Sequence, residues 1–271
     1  MGALERWREA LASWAIPEEV LAKAPESPWG FRPEIFADRA RRAPDEPETP
    51  SRRRAGAALR GGGTVLDVGA GAGAASLPLA PPADAIVAVD PSPELLAAFE
   101  ELAAERGLTL TSIEGSWPEA AGETPACDVV VCHHVLYNVP DLAPFARALT
   151  AHARRLVVVE LTAEHPLTWM AGLWRRFHGL ERPIEPTADV AEAALREAGI
   201  DPGREDHEVR REAGGFPDRD AAVAQARRML CLPPDRDPEV AEALGDRLRE
   251  GSTGWGIGPP AARVVTLWWE P

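Results

Sequence analysis

Residues 65–74 read VLDVGAGAGA, and this stretch decides the fold of the 271-residue chain. An apolar run at 64–68 passes directly into three alternating glycines, as a buried strand does when it ends in a tight turn. The residues that follow, 73–79, predict a helix. Glycines let a ligand approach the backbone, and the start of a helix favours a negative group. We therefore predict a strand, loop and helix that bind a ligand at the loop, the alternative being a tight turn without a ligand.

Strand and helix patterns alternate beyond this unit. Strand patterns lie at residues 85–89, 108–113, 128–132, 155–160 and 264–269, and residues 206–212 are the candidate for a further strand. Helical patterns lie at 93–106, 142–152 and 188–198, and Thr187 and Gly199 suit the start and the end of the last one. Such alternation indicates right-handed crossovers between parallel strands. The expected fold class is α/β, with a doubly wound, mostly parallel sheet of seven strands.

Residues 1–50 have a different character. They predict a helical, loop-rich N-terminal extension that ends in an acidic, proline-rich linker at 44–50. Ser51 is expected to cap a helix over 52–60, because a serine hydroxyl can accept a bond from a free backbone N–H at a helix start.

Residues 51–271 are expected to form the ligand-binding domain. Within it, 217–256 predict two helices around Pro233, inserted before the last strand as a candidate substrate cover. The glycine-rich run 251–258 is either a mobile lid or a plain loop. Aromatic side chains either roof an apolar pocket or pack between elements at three places: Trp29 to Phe31, residues 169–178 and Trp255.

Composition limits the partners of the chain. Its formal net charge of −14 repels phosphate backbones, so no nucleic-acid partner is expected. No signal peptide is recognisable and no apolar run reaches the ~18–20 residues of a membrane span, so we expect no membrane contact and a cytoplasmic location. Three cysteines without a metal-ligand spacing predict reduced thiols and no metal site. The sequence does not define an oligomeric state.

The glycine loop alone fits two classes of ligand. Three of its residues match the dinucleotide pattern G-x-G-x-x-G/A, namely Gly69, Gly71 and Ala74. Asp90 follows at the expected distance, so an NAD(P)-dependent Rossmann oxidoreductase is an alternative. Asp67 favours a different ligand, because an acid just before the glycines suits a cationic ammonium group. Asp90 can accept both hydroxyls of a ribose, and Trp117 can pack on an adenine or simply anchor its loop.

With these features in this order, residues 52–165 resemble the class I S-adenosylmethionine-dependent methyltransferases. The resemblance implies a Rossmann-like fold, S-adenosylmethionine as cofactor, and an antiparallel seventh strand between strands five and six. The insertion at 217–256 departs from the family pattern.

The resemblance also implies which residues contact the cofactor. Those expected at the methionine part are Asp67, Gly69, Ala70 and Gly71. Asp90, with its neighbour Pro91, would hold the ribose. Those expected at the adenine are Gly115, Ser116 and Trp117. Cys132, His133 and His134 would lie under the methionine and the methyl group.

Methyl transfer is an in-line displacement, and a base helps only where the acceptor must lose a proton. His133 and His134 are the candidate catalytic bases, and the alternative is that they are hydrogen-bonded structural histidines. Tyr137, Glu160 and His165 follow at places where they could border the same cleft.

The expected function is methyl transfer to a small-molecule acceptor without a metal, oxygen being slightly favoured over nitrogen or carbon. A metal-dependent enzyme of the catechol type would want an acid where Cys132 stands. An oxidoreductase would need a Tyr-x-x-x-Lys pair or its equivalent, but Tyr137, the only tyrosine, is followed by Asp141. A non-catalytic protein that binds S-adenosylmethionine is the third hypothesis.

Overall fold

The computed structural model describes residues 1–29 and 33–271. The strands of these residues are β1 Thr64–Val68, β2 Ala85–Asp90, β3 Leu110–Glu114, β4 Cys127–His133, β5 Ala153–Thr162, β6 Gly203–Arg210, β7 Leu248–Gly251, β8 Gly254–Ile257 and β9 Ala261–Trp269. Seven of them form one sheet in the order β3-β2-β1-β4-β5-β9-β6, and β7 pairs with β8 in a separate hairpin. The predicted fold class and the seven-stranded sheet are confirmed.

Strand direction separates the two fold alternatives. Strands β1 to β5 pair in parallel with one another, whereas β9 is antiparallel to both β5 and β6. A dinucleotide-binding sheet would instead have the order 3-2-1-4-5-6, all parallel. The inserted antiparallel strand is the one that the resemblance implied. Because β6 is parallel to β5, strands β1 to β6 all end at the same edge of the sheet, here called the carboxyl edge.

Helices cover both faces of the sheet. They are α1 Ala3–Ala12, α2 Glu18–Leu21, α3 Pro33–Arg42, α4 Pro50–Ala58, α5 Pro93–Glu105, α6 Leu142–His152, α7 Ala171–His178, α8 Ala188–Glu197, α9 Arg219–Met229 and α10 Asp237–Leu244. One face packs against apolar residues of α1, α6 and α8, and the other against α3, α4 and α5. The helices predicted at 93–106, 142–152 and 188–198 are confirmed within one residue.

The helix predicted at 73–79 is wrong. Residues 71–76 form turns, and only a short 3-10 segment, Leu77–Leu79, follows. Pro78 explains the difference, because a proline inside a helix removes a backbone donor and clashes with the preceding turn. Gly73, with φ of 89°, also lies outside helical geometry. The glycine loop therefore does not lead into a helix N-terminus.

The cap predicted for α4 is also wrong. Thr49, not Ser51, is the N-cap, and its hydroxyl accepts a hydrogen bond from the N–H of Arg52 at 3.2 Å. Pro50 occupies the first helical position, where a missing N–H costs nothing. Ser51 is consequently free to direct its hydroxyl inward, and it is buried.

The N-terminal extension packs tightly on the sheet domain. Trp7 of α1 is fully buried in the apolar cluster that α6 and α8 share, and its indole N–H donates to the carbonyl of Val139 at 2.8 Å. The division at residue 50 stays a prediction. Gly30 and Phe31, expected as part of a pocket roof, lie outside the described residues.

The insertion contains the two predicted helices, α9 and α10. Together with α7 and Ile16 they build a third apolar cluster around Trp174 and Leu230. The run 251–258 contains β8 rather than a mobile lid or a plain loop. Its Trp255 exchanges backbone hydrogen bonds of 2.8 and 3.0 Å with Phe216.

Candidate functional site

The loop after β1 is bound to the end of β2. Gly69 and Ala70 both donate their N–H to the carbonyl of Val89, at 2.8 and 3.1 Å. The N–H of Gly71 donates to Oδ2 of Asp90 at 2.8 Å. The predicted methionine loop and the predicted ribose acid are therefore one hydrogen-bonded unit at the carboxyl edge.

The three loop glycines, all with positive φ, have different neighbours. A Cβ on Gly69 would collide with Val135, and one on Gly73 would collide with the ring of Phe99. A Cβ on Gly71 would meet nothing within 4 Å. Gly69 and Gly73 are thus required by packing, whereas Gly71 faces open space beside Asp90.

Asp90 connects the loop to the end of β3. Its second oxygen accepts the N–H of Ser92 at 2.9 Å, and its carbonyl accepts the N–H of Gly115 at 3.1 Å. The carboxylate is buried, while Pro91 and Ser116 are exposed beside it. Carboxylate oxygens have lone pairs beyond these two bonds, so Asp90 retains the capacity to accept hydroxyl donors.

Asp67 is a buried acid, and one of its carboxylate oxygens has no hydrogen-bond partner among the described residues. Its side chain is 1% exposed; Oδ2 accepts the hydroxyl of Ser76 at 2.6 Å, and Oδ1 has no partner in the described structure. Burial raises the pKa of Asp67 to about 7; the Ser76 bond opposes this and the charge of Asp90 adds to it. A cation at the loop would supply the missing partner and favour the ionised form.

Two of the predicted cofactor residues direct their side chains into the protein. Trp117 packs its ring edge-on against His152, with centroids 4.9 Å apart. Cys132 is fully buried in the central apolar cluster, and burial raises the pKa of its thiol. In this arrangement neither side chain lies on an open surface, although their backbones border the loops at the carboxyl edge.

The two candidate bases differ in their surroundings. His134 has φ of 60°, an uncommon conformation for a residue with a side chain, and its N–H donates to the carbonyl of Glu160 at 2.7 Å. Its Nε2 lies 3.3 Å from Oε1 of Glu160, and the side chain is 28% exposed. The Nε2 atom of the neighbouring His133 is buried without a hydrogen-bond partner.

Glu160 contacts both His134 and Ser51 through its carboxylate. Its other oxygen accepts the hydroxyl of Ser51. Burial raises the pKa of Glu160, but His133, His134 and the Ser51 bond more than offset this and lower it overall. Burial lowers the pKa of His133 to about 4. Glu160 is thus an anion and His133 a neutral ring at neutral pH.

Four residues that interact with the candidate site at the carboxyl edge were not predicted from the sequence. Ser51 and Ser76 donate to the buried acids, while Arg39 and Arg211 lie near His133 and Tyr137 and affect pKa values there. Pro50 is the signal that could have identified Ser51, since a proline at the first helical position moves the cap to Thr49. The other three depend on contacts distant in sequence.

Tyr137 and His165 lie beside the site, but each side chain is already engaged by a neighbouring residue. The hydroxyl of Tyr137 is hydrogen-bonded to the carbonyl of Thr162 at 2.8 Å, and burial raises the pKa of that hydroxyl. His165 stacks on Trp14 with centroids 3.8 Å apart. Both side chains are structural parts of the wall around the site.

Other ligand classes were sought in residues 1–29 and 33–271. No group of three or more His, Cys, Asp and Glu side chains in these ranges is arranged to hold a metal ion. No helix in them is long and apolar enough to cross a membrane. Two surface hollows, one beside Arg6 and Glu185 and one beside Arg247 and Pro259, lie away from the glycine loop.

Comparison with known proteins agrees with this geometry. Residues 66–156 match a family model described as a methyltransferase domain. Over 146 residues the chain is 26% identical to the ubiquinone biosynthesis O-methyltransferase of Azorhizobium caulinodans, covering 48% of this chain and 58% of that protein. The chain therefore spans little more than half the length of this curated relative.

Two solved structures share the fold. A Bacillus halodurans protein described as a candidate methyltransferase has a TM-score of 0.53 at 13% identity, covering 80% of this chain and 95% of that one. The YcgJ protein of Bacillus subtilis has a TM-score of 0.51 at 15% identity, covering 80% and 96%.

Residues 66–156 match a methyltransferase domain, and the surrounding chain has the Rossmann-like fold of solved methyltransferases. These similarities are to class I S-adenosylmethionine-dependent methyltransferases, whose cofactor is S-adenosylmethionine. The residues present fit that cofactor. The unpartnered Oδ1 of Asp67 suits an ammonium group, and the space at Gly71 beside Asp90 suits a ribose.

Proposed function

We propose that this chain transfers a methyl group from S-adenosylmethionine to an oxygen of a small-molecule acceptor, without a metal. The observation that carries the proposal is the pairing of His134 with the buried carboxylate of Glu160, next to the loop that contains Gly69. The relative from Azorhizobium caulinodans, an O-methyltransferase by name, supports oxygen as the accepting atom.

His134 is the base in this proposal. A carboxylate at Nε2 favours the tautomer with a proton on that nitrogen, which leaves Nδ1 as the acceptor. The side chain of His134 is 28% exposed, so Nδ1 can be reached by a ligand at this edge. A hydroxyl acceptor must lose a proton as it attacks, so a base in this place is useful for oxygen chemistry in particular.

His133 and the cofactor residues have other roles. The neutral ring of His133, whose pKa burial lowers to about 4, contributes shape rather than a proton acceptor. Asp67 and Gly71 would hold the methionine part, and Asp90 the ribose. The bound cofactor supplies an electrophilic methyl group on a sulfonium, and the protein aligns the acceptor oxygen with it and excludes water.

The structure gives reasons to prefer this function to nicotinamide chemistry. A dinucleotide pyrophosphate is held at the N-terminus of the helix that follows the glycine loop. Here that segment consists of turns and a 3-10 segment, and the buried Asp67 would repel a pyrophosphate. Both features suit a cationic ligand.

The first test measures ligand binding by calorimetry. S-adenosylmethionine, S-adenosylhomocysteine and NADH are titrated into the wild-type protein and into Asp90→Asn. We expect both adenosyl ligands to bind at micromolar concentration and the variant to bind them about tenfold or more weakly, since a charged hydrogen bond contributes ~1.5–3 kcal/mol.

Asp84→Asn is the matched control. Asp84 precedes the same strand at the opposite edge of the sheet, where it also accepts a glycine N–H, that of Gly63 at 2.7 Å. Its replacement should leave ligand binding unchanged. Binding of NADH alone would contradict the proposal. Binding of the adenosyl ligands without turnover of any hydroxylated acceptor in a broad screen would favour the non-catalytic alternative.

A further inference from the structure

Two arginines without acidic partners lie at the carboxyl edge. Arg211 is the first residue after β6, so it leaves the sheet at the same edge as His133. Arg39 belongs to α3. No acidic side chain of the described chain forms an ion pair with either guanidinium.

Contacts of α3 place Arg39 near Arg211. Ile35 lies against Gly215, where an added Cβ would be 3.5 Å from its side chain, and Arg42 donates to the hydroxyl of Thr253 at 3.2 Å. Residues 35, 39 and 42 share one helical face. Arg39 therefore lies on the face of α3 that packs over the segment after β6.

Electrostatic effects connect the two arginines with the site. Burial lowers the pKa of His133, and the charge of Arg39 adds to this. Burial also lowers the pKa of Arg211, with a further contribution from Arg39, while Tyr137 opposes it. Arg211 is nevertheless solvent-exposed.

Three arginines on neighbouring elements have acidic partners. Arg53 and Arg54 both pair with Glu205, and Arg263 pairs with Asp206 at 2.7 Å. In a chain with a net charge of −14, counter-charges are plentiful. Arg39 and Arg211, close to His133 and Tyr137 and without acidic partners, suit an anionic group, because guanidinium groups bind carboxylates and phosphates through paired N–H donors.

We propose that the methyl acceptor is an anionic small molecule, whose carboxylate or phosphate is bound by Arg39 and Arg211 while its hydroxyl faces His134. This rests on the proposed function, since it places the acceptor at the same site. The two arginines would bind and orient the acceptor, and no covalent step involves them.

The experiment compares anionic fragments with neutral relatives that keep the same phenyl ring. Benzoate and benzamide, phenylacetate and phenylacetamide, and phenyl phosphate and phenol are added at millimolar concentration to the full-length protein saturated with S-adenosylhomocysteine. The readout is the ¹⁵N-detected shift of the arginine Nε–H resonances, assigned with Arg39→Gln and Arg211→Gln. We expect the anions, not their neutral partners, to shift both resonances.

Each variant should weaken anion binding about tenfold, in line with one lost charge-assisted contact. Arg154→Gln, an exposed arginine at the start of β5 on the opposite edge, is the matched control and should have no effect. Equal binding of neutral and anionic fragments, or no shift with any anion, would overturn the proposal. Affinity for S-adenosylhomocysteine is measured in the same samples, so a failure of the cofactor site is distinguished from a failure of the anion site.

Discussion

Asp67 is a residue whose ionisation the ligand-free fold opposes. Its pKa, raised to about 7 in the folded chain against 3.8 for the free side chain, makes the folded state bind the proton more tightly than the unfolded state. The stability that this proton provides is complete below about pH 4 and is lost as the pH rises through about 7. A bound ammonium group would reverse the preference.

Asp67→Asn should therefore stabilise the ligand-free protein at pH 8 and weaken its affinity for S-adenosylhomocysteine. The expected gain is on the order of 1–3 kcal/mol, because a pKa unit corresponds to about 1.4 kcal/mol and the side-chain amide can still accept the Ser76 bond. Thermal unfolding of both proteins between pH 5 and pH 8 measures it, and the difference should grow with pH.

Asp128→Asn is the control with the opposite sign. The backbone N–H of Thr64 lowers the pKa of Asp128, which lies in the same sheet at the other edge. Its ionised form stabilises the fold above pH 4, so the variant should lose stability at neutral pH. A stability difference for Asp67→Asn that does not change with pH would show that the carboxyl is not strained in the fold.

The two histidines after β4 allow a second test at this scale. His134→Gln should lower kcat by about 10²–10⁴-fold, the usual contribution of a general base, with little change in the affinity for S-adenosylhomocysteine. His133→Gln should lower it far less, because that ring is a poor proton acceptor at a pKa of about 4. Steady-state rates on any acceptor found by screening measure both, and a greater loss with His133→Gln would assign the base to the other ring.

The sequence predicted residues of this site only where their role is local. Asp67, Asp90 and the glycines follow from position relative to a strand end. Ser51, Arg39 and Arg211 reach the site from an N-terminal helix or from the end of β6, and the pattern of neighbouring residues has no signal for such contacts. The different surroundings of His133 and His134 also could not be predicted from the sequence, because they depend on side-chain burial and backbone angles in the folded chain.

At the scale of elements, the loop after β1 combines packing with binding. Gly73→Ala should destabilise the fold by several kcal/mol, since the new methyl group would collide with Phe99 and φ is 89°. Gly71→Ala should cost only about 1 kcal/mol, for its positive φ, but should weaken S-adenosylhomocysteine binding at least tenfold.

Chemical denaturation and calorimetry on both variants separate the two effects. Gly107→Ala serves as a reference for the cost of φ alone, because Gly107 has φ of 65° at the end of α5 and a Cβ there would meet nothing within 4 Å. Unchanged ligand affinity in Gly71→Ala would mean that the open space at this glycine is not occupied by the cofactor.

Element boundaries followed closely from the sequence where one physical signal dominated. Continuous apolar runs located the central strands β1, β2, β4 and β5, and the Thr187 cap with Gly199 located α8. The failures occurred where signals conflicted: Ala72, Ala74 and Ala75 favour a helix, but Pro78 and the glycines exclude it. The hairpin of β7 and β8 was missed because its glycine content resembles that of a loop.

At the scale of the whole molecule, three apolar clusters join the sheet, the N-terminal extension and the insertion. Ile16 reaches the cluster of the insertion, and Trp7 reaches the cluster under the sheet. Ion pairs also connect the N-terminal extension with the sheet domain, including that of Arg8 with Asp141 at 2.5 Å. Because these clusters combine residues from distant parts of the chain, the extension and the domain should unfold together.

Trp7→Ala tests this cooperativity. Removing a fully buried indole, together with its bond to Val139, should destabilise the whole protein by about 3–5 kcal/mol. Denaturant unfolding followed by circular dichroism should retain a single transition at a lower midpoint. Trp29→Ala, at a side chain that is 55% exposed, should change stability by less than about 0.5 kcal/mol. An early, separate transition in Trp7→Ala, with the main midpoint unchanged, would show instead that the extension folds independently and that the predicted boundary at residue 50 divides two cooperative units.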